Sequence, residues 1–310
     1  MDNIMGIEFL FFALLLGFCI GTLSGFLGIG GAFVLTPLLN IIGFPMVYSV
    51  GTSLVFAVGV SSYASYRHYL EKNINFKTVA YVSLIGLLFI FISQQIAVYL
   101  HGIGAADSVI RWGFVVILVL LAILCCKDRG EKSGISTMDK INLTPPVINL
   151  FGEKKISLWS LLFIGASVGF LKGFLGVGGG FILVPMFLLV LGMKSRLAIG
   201  TSLLVVLITS IFAAFLYFWE GKVMLVIAII LIFGAIAGIN VGVKSVQKIY
   251  STMIKKIYGI FLLLNTVGIV LKELNLDLYA IIYALSLTGI ASVLIVYIFF
   301  AKKSVLLYKK

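Results

Sequence analysis

The sequence predicts an all-α, polytopic helical membrane protein built from two inverted-topology repeats, each opening with a broken-helix hairpin. Three observations lead there. Of the 310 residues, 62% are hydrophobic and 11% charged, whereas soluble domains sit near roughly 45–50% and about 25%. Ten-residue units of alternating polarity, the signature of an outer-membrane barrel, are missing, so helices, which satisfy their own backbone in lipid, must span. Finally, the run from Gly21 to Leu39 returns 148 residues later, from Gly169 to Phe187, with 11 identities in 19 positions. A duplicated glycine break inside apolar sequence points to a transporter whose substrate site lies at the breaks.

Apolar segments follow at 7–24, 31–43, 47–66, 77–100, 108–126, 157–174, 180–193, 197–219, 223–243, 257–271 and 278–301. The N-terminus lacks the basic region and small-residue site of a cleaved signal, so the first segment is expected to stay. A span needs about 20 apolar residues. Segments 31–43 and 180–193 fall short of that, and each directly follows its glycine break. Each therefore pairs with the helix before it as a hairpin that enters and leaves on one side. The basic residues Arg67, Lys72, Lys77, Lys127, Arg129, Lys132, Lys140, Lys154, Lys155, Lys194, Arg196, Lys244, Lys248, Lys255, Lys256, Lys302, Lys303, Lys309 and Lys310 all fall on one side of that arrangement, the cytoplasmic one. A hairpin plus three crossings, at 47–66, 77–100 and 108–126, delivers the second repeat to the opposite face, which inverts it. The divisions are 1–127 for the first repeat, 128–156 for a cytoplasmic linker, 157–272 for the second repeat, and 273–310 for an extra terminal helix and basic tail. The linker carries charge, glycine and Pro145-Pro146, and little fixed structure is expected in it.

The chemistry concentrates in matched pairs. Gly28-x-Gly30-Gly31 and Gly176-x-Gly178-Gly179-Gly180 each precede a half-helix, and Pro37 and Pro185 follow at the same spacing. Glycine lets backbone N–H groups approach a ligand, and the half-helix presents its positive end, an anion site without a fixed charge. Close helix packing through small residues is the competing reading. Neither copy is a dinucleotide fingerprint, because Phe33 and Phe181 stand where its third glycine would be. Gly51-Thr52-Ser53 matches Gly200-Thr201-Ser202. Those hydroxyls can serve an oxyanion or bond back to their own helix. Lys172 breaks the symmetry, since Ser24 is its counterpart. An ammonium there either meets an anion or snorkels to an interface.

Several function classes drop out. The net charge of +12 belongs to inter-helix loops and the tail, which does not suggest nucleic acid. Cys19, Cys125 and Cys126 are too few and too apolar in context for a disulfide framework or metal site and read as small apolar side chains. All eleven acidic residues fall in loops or near segment ends, which weakens a cation transporter and favours an anion. His68 and His101, also at segment ends, read as interfacial. No nucleophile-and-base pair, metal pair or nucleotide-hydrolysing domain emerges, so neither an enzyme nor a cofactor is expected.

Gly25-Phe26-Leu27-Gly28-Ile29-Gly30-Gly31 with Pro37, the second copy with Pro185, and Gly-Thr-Ser in both halves resemble the TauE/SafE family of sulfite exporters, also called toluene sulfonate uptake permeases. The resemblance covers nearly the whole chain. It implies a plasma-membrane permease for a small sulfur-containing anion such as sulfite, thiosulfate or an organosulfonate. Some relatives are thought to carry non-sulfur organic anions. Ala32 departs from the triple glycine of the second copy, so the first half-site is expected to be the tighter. The expected partners are a small anion and the bilayer, with homodimerisation left open. An uncoupled anion channel and a membrane scaffold are the alternatives.

Overall fold

The computed structural model describes residues 7–102, 112–113, 115–120, 122–123, 147–151, 154–175, 179–249 and 251–300. The first repeat contains α1 (Ile7–Leu27), the half-helix α2 (Ala32–Ile42), α3 (Met46–Leu70) and α4 (Phe76–Gly102). Helical residues at 112–113, 115–120 and 122–123 fall within the fifth expected segment. After the linker come α5 (Leu158–Leu175), the half-helix α6 (Gly180–Leu189), α7 (Ser195–Trp219), α8 (Leu225–Val246), α9 (Ser251–Glu273) and α10 (Asp277–Phe300). Among the described residues, α1, α3, α4, α7, α8 and α10 are long and apolar enough to cross a membrane. Leu84, Leu88, Phe233, Val293 and Leu294 are exposed, as a lipid-facing surface requires.

The linker departs from expectation. Its described end forms an antiparallel pair, β1 (Val147–Phe151) with β2 (Lys154–Ser157), carrying an irregularity between Asn149 and Phe151. Val147, Ile148, Phe151 and Ile156 supply the β-branched and aromatic side chains that favour strands. The preceding charge and the proline pair had masked that signal. Cys125, Cys126 and the basic tail lie outside the described residues.

Long helices of the two repeats interleave. α1 packs along α8 and α4 along α5, while α3 packs on α7. Glycine makes the first two contacts close. A Cβ at Gly17, Gly21 or Gly25 would meet the backbone of Leu231, Ala235 or Ile239, and one at Gly234, Gly238 or Gly242 would meet Leu14, Phe18 or Thr22. The numbers rise together, so α1 and α8 run parallel. Gly165, Gly169 and Gly173 meet α4 at Ile85, Gly86 and Ile90 in the same parallel sense. Gly51 at the start of α3 lies against Lys222 beyond the end of α7, and Gly200 at the start of α7 against Asn73 beyond the end of α3. That pair is antiparallel. Small residues every fourth position let helices approach without a hydrophobic driving force in lipid.

A packing prediction follows. Gly21→Val puts side-chain atoms into the Ala235 carbonyl, and overpacking of this kind costs about 1–3 kcal/mol. Thermal unfolding of the purified protein in detergent should show a clear fall in Tm. Gly289→Ala, whose Cβ meets nothing within 4 Å, should show none.

Candidate substrate-binding site

The duplicated motif divides its glycines between two tasks. Gly21, Gly25, Gly169 and Gly173 seat helix against helix. Gly28, Gly30 and Gly31, with φ of 75°, 72° and 78°, and Gly179, with φ of 71°, make the breaks. These left-handed values cost an L-residue roughly 1–2 kcal/mol. Gly176 and Gly178 lie outside the described residues.

Gly31 caps α2 and Gly179 caps α6, and neither end has a side-chain cap. Bonding within α2 begins with the Val34 and Leu35 amides donating to Gly31 O, and within α6 with Ile182 and Leu183 donating to Gly179 O. The earlier amides of each half-helix have no helical acceptor and mark its positive end. Pro37 and Pro185 sit inside these half-helices, where each lacks the N–H that would reach Phe33 or Phe181.

The two breaks meet. A Cβ on Gly180 would lie 2.6 Å from Gly28 O and 2.7 Å from the Ile29 carbonyl carbon. Phe33 and Phe181, equivalent in the two repeats, stack with centroids 4.9 Å apart. The Ser202 hydroxyl donates to Gly28 O at 3.1 Å, and Tyr258 donates to Gly180 O at 3.4 Å. All of this is buried.

The Gly-Thr-Ser hydroxyls are tied into the fold. Thr52 Oγ1 accepts the Met224 amide and Thr201 Oγ1 accepts the Asn75 amide, each at 3.0 Å. These bonds are equivalent in the two repeats, and each reaches from one repeat to the start of a helix in the other. Ser53 donates to Ser49 O at 2.7 Å and shares a hydrogen bond with Thr36. Ser202 also bonds back to Ile199 O. Thr52→Val or Thr201→Val leaves a helix-start amide without its acceptor, and loss of such a cap costs about 0.5–2 kcal/mol. The expected result is a lower denaturation midpoint for either variant.

Lys172 is fully buried within the protein. Its Nζ donates to Val206 O at 3.0 Å and Thr209 Oγ1 at 2.6 Å, near the middle of α7. The same Val206 lies against the first break, where its Cγ1 would be 2.5 Å from a Gly30 Cβ. On the other side, the Lys172 Cδ would lie 4.0 Å from a Gly179 Cβ. The amine is thus held near the middle of α7 with a glycine break on either hand.

His68 corrects the interfacial reading. It stands at the end of α3, but its ring turns inward and is fully buried. Its Cβ packs on Gly200. The ring lies beside the Gly25 backbone, yet neither nitrogen reaches hydrogen-bond geometry with a partner. Ser24, Ser61 and Ser65 are also buried with hydroxyls lacking a partner. Sequence reading missed this group, although Ser61, Ser65 and His68 share a helix face by their spacing. The His101 side chain lies outside the described residues.

Helices long and apolar enough to span, buried glycine breaks and a buried lysine fit a multi-pass membrane transporter. The chain matches the model of the family described as "Sulfite exporter TauE/SafE" over residues 13–269 and belongs to that family. It is 29% identical to the probable membrane transporter protein MJ0441 of Methanocaldococcus jannaschii, over 83% of this chain and 97% of the relative. It is 28% identical to the probable membrane transporter protein YjnA of Bacillus subtilis, over 74% and 87% respectively. The probable membrane transporter protein YunE of the same organism is also 28% identical, over 80% and 93%. No solved structure matches.

Proposed function

We propose that this protein is a secondary transporter that moves a small sulfur-containing oxyanion, such as sulfite, thiosulfate or an organosulfonate, across the plasma membrane by alternating access. The observation that carries the reading is the meeting of two uncapped half-helix ends beside the buried Lys172. Positive helix ends and an ammonium form an anion site. The anion would take backbone N–H groups from Gly30, Gly31 and Gly178 to Gly180, while Gly28, whose own amide donates to Ser24 O at 2.8 Å, and Gly176 would shape the breaks around it. Lys172 would supply charge, and Thr52, Ser53, Thr201 and Ser202 would border the site.

The helix directions support inverted repeats. α1 runs with α8, α4 with α5, and α3 against α7. With short hairpin turns between α3 and α4 and between α7 and α8, α1 and α3 then run one way, and α5 and α7 the other. Two such units rocking about the breaks would open the site to each face in turn. With the basic connections on the cytoplasmic side, the same topology would carry the C-terminus there as well.

Counterflow tests this. Liposomes holding the purified protein and unlabelled thiosulfate or sulfoacetate should draw in labelled anion transiently above equilibrium, with saturable kinetics. Flux without counterflow would mean a channel, and no flux with any anion would leave a scaffold. Either result overturns the proposal.

A further inference from the structure

We propose that His68 is the proton-binding group that couples this transporter to a proton gradient, with Ser24, Ser61 and Ser65 forming its path to the first glycine break. The inference rests on the transporter reading above and adds the coupling ion and its site.

Position comes first. Ser61 Oγ would lie 3.1 Å from a Cβ on Gly30, so the polar stripe begins at the break. Ser65 and His68 continue it along the same face of α3, one and two turns on. Ser24 joins from α1, next to the Gly25 that His68 approaches. The stripe runs from the break to the end of α3, where the chain emerges at Glu71 and Lys72, both exposed.

Satisfaction comes second. All four side chains are at most 4% exposed, and their hydroxyls and ring nitrogens lack a partner. Leaving one buried polar group unpaired costs about 1–3 kcal/mol, so three on one face of α3 with a fourth on α1 need a reason. A path that binds a proton in one conformation and releases it in another supplies that reason. Serine hydroxyls both donate and accept, and imidazole gains and loses a proton in the physiological range.

The other repeat shows what His68 replaces. Its counterpart, 149 residues on, is Tyr217, whose hydroxyl donates to Gly173 O at 3.0 Å. Gly173 is the counterpart of Gly25. One repeat therefore closes its hairpin with a fixed donor, while the other places a titratable ring beside the same carbonyl position. A proton entering from the end of α3 binds a free ring nitrogen and leaves both nitrogens as donors, one of them able to reach the Gly25 carbonyl. The same proton departs when that contact opens, and no other reactant is needed.

Arg67, on its own helix, and Glu71, just beyond that helix's end, act on the ring with opposite sign. α1 brings the Gly25 backbone and α7 brings Gly200. The nearest cations in sequence on α7 and α8 are engaged elsewhere: Arg196 bonds the Gln247 carbonyl, and Lys244 lies over the Phe299 ring.

The test is the number of protons moved per anion. Proteoliposomes with an entrapped pH dye and labelled thiosulfate, which does not titrate near neutrality, report both fluxes together. The wild type should move protons with the anion, at a rate that depends on pH. In His68→Gln the proton-to-anion ratio should fall to background and the pH dependence should flatten. His68→Tyr reproduces the Tyr217 arrangement and restores a donor to the Gly25 carbonyl. If His68 were only a structural latch, that variant would keep the wild-type ratio. Under the proposal it loses it. Net anion uptake without protons in the wild type, or an unchanged ratio in either variant, overturns the inference. Absence of counterflow with every anion would instead remove the transporter reading, and this inference with it.

Discussion

Lys172→Met is expected to abolish anion transport while leaving a folded protein. The ammonium is fully buried at mid-depth of α7, bonded to the Val206 carbonyl and the Thr209 hydroxyl. Keeping a charge at such a depth costs about 2.5–3.5 kcal/mol even on the lowest scales. Methionine fills similar volume without that cost, and the Thr209 hydroxyl keeps its bond to Val205 O at 2.6 Å. Stability should therefore hold or rise. Binding should suffer, because removing one partner of a buried charge pair costs about 2–5 kcal/mol, roughly 30- to 4,000-fold in affinity. A strut reading of Lys172 predicts the reverse: a lowered Tm with anion affinity unchanged. Lys172→Ser, which copies Ser24 of the first repeat, should resemble the methionine variant in transport.

The second large effect is expected at the breaks. Gly180→Ala adds one methyl group 2.6 Å from Gly28 O. Gly180 is helical, so alanine itself suits its backbone, and the clash falls wholly between the two breaks. Separating them by a fraction of an ångström should cripple transport, since oriented backbone donors lose their grip when misplaced by about 1 Å. Gly30→Val is harsher, combining φ of 72° with a Cβ 2.5 Å from Val206. Both variants should insert into the membrane and elute as monodisperse protein. Transport at wild-type rates in both would remove the breaks from the site.

These two effects rest on features of unequal visibility in the sequence. The breaks and half-helices were legible because glycine and proline punctuate apolar sequence, and duplication separates design from accident. The expected half-helix at 31–43 became Ala32–Ile42, and that at 180–193 became Gly180–Leu189. Other features depend on partners far along the chain. Thr52 reads locally as a residue at a helix start, yet its hydroxyl serves Met224 in the other repeat. The packing role of Gly21 and Gly25 needs the matching row Gly234, Gly238 and Gly242, which only the fold brings alongside. His68 read as interfacial because it ends an apolar segment. Its ring points inward because α1 and α7 close over that end of α3, at Gly25 and Gly200. Lys172 was visible as an asymmetry, but its depth was not, since the sequence alone does not say where in the membrane a hairpin turns.

The central claim, an anion held where the two breaks meet, is tested most directly by calorimetric titration of the purified protein. Sulfite, thiosulfate, sulfoacetate, taurine and carboxylate analogues would be compared on the wild type, Lys172→Met and Gly180→Ala. The account predicts saturable one-site binding of at least one sulfur oxyanion to the wild type. At 100 times its Kd, that ligand should stabilise the fold by about 2.7 kcal/mol. Binding should be lost in Lys172→Met and weakened in Gly180→Ala. Equal affinity in all three proteins would place the anion elsewhere and contradict the account.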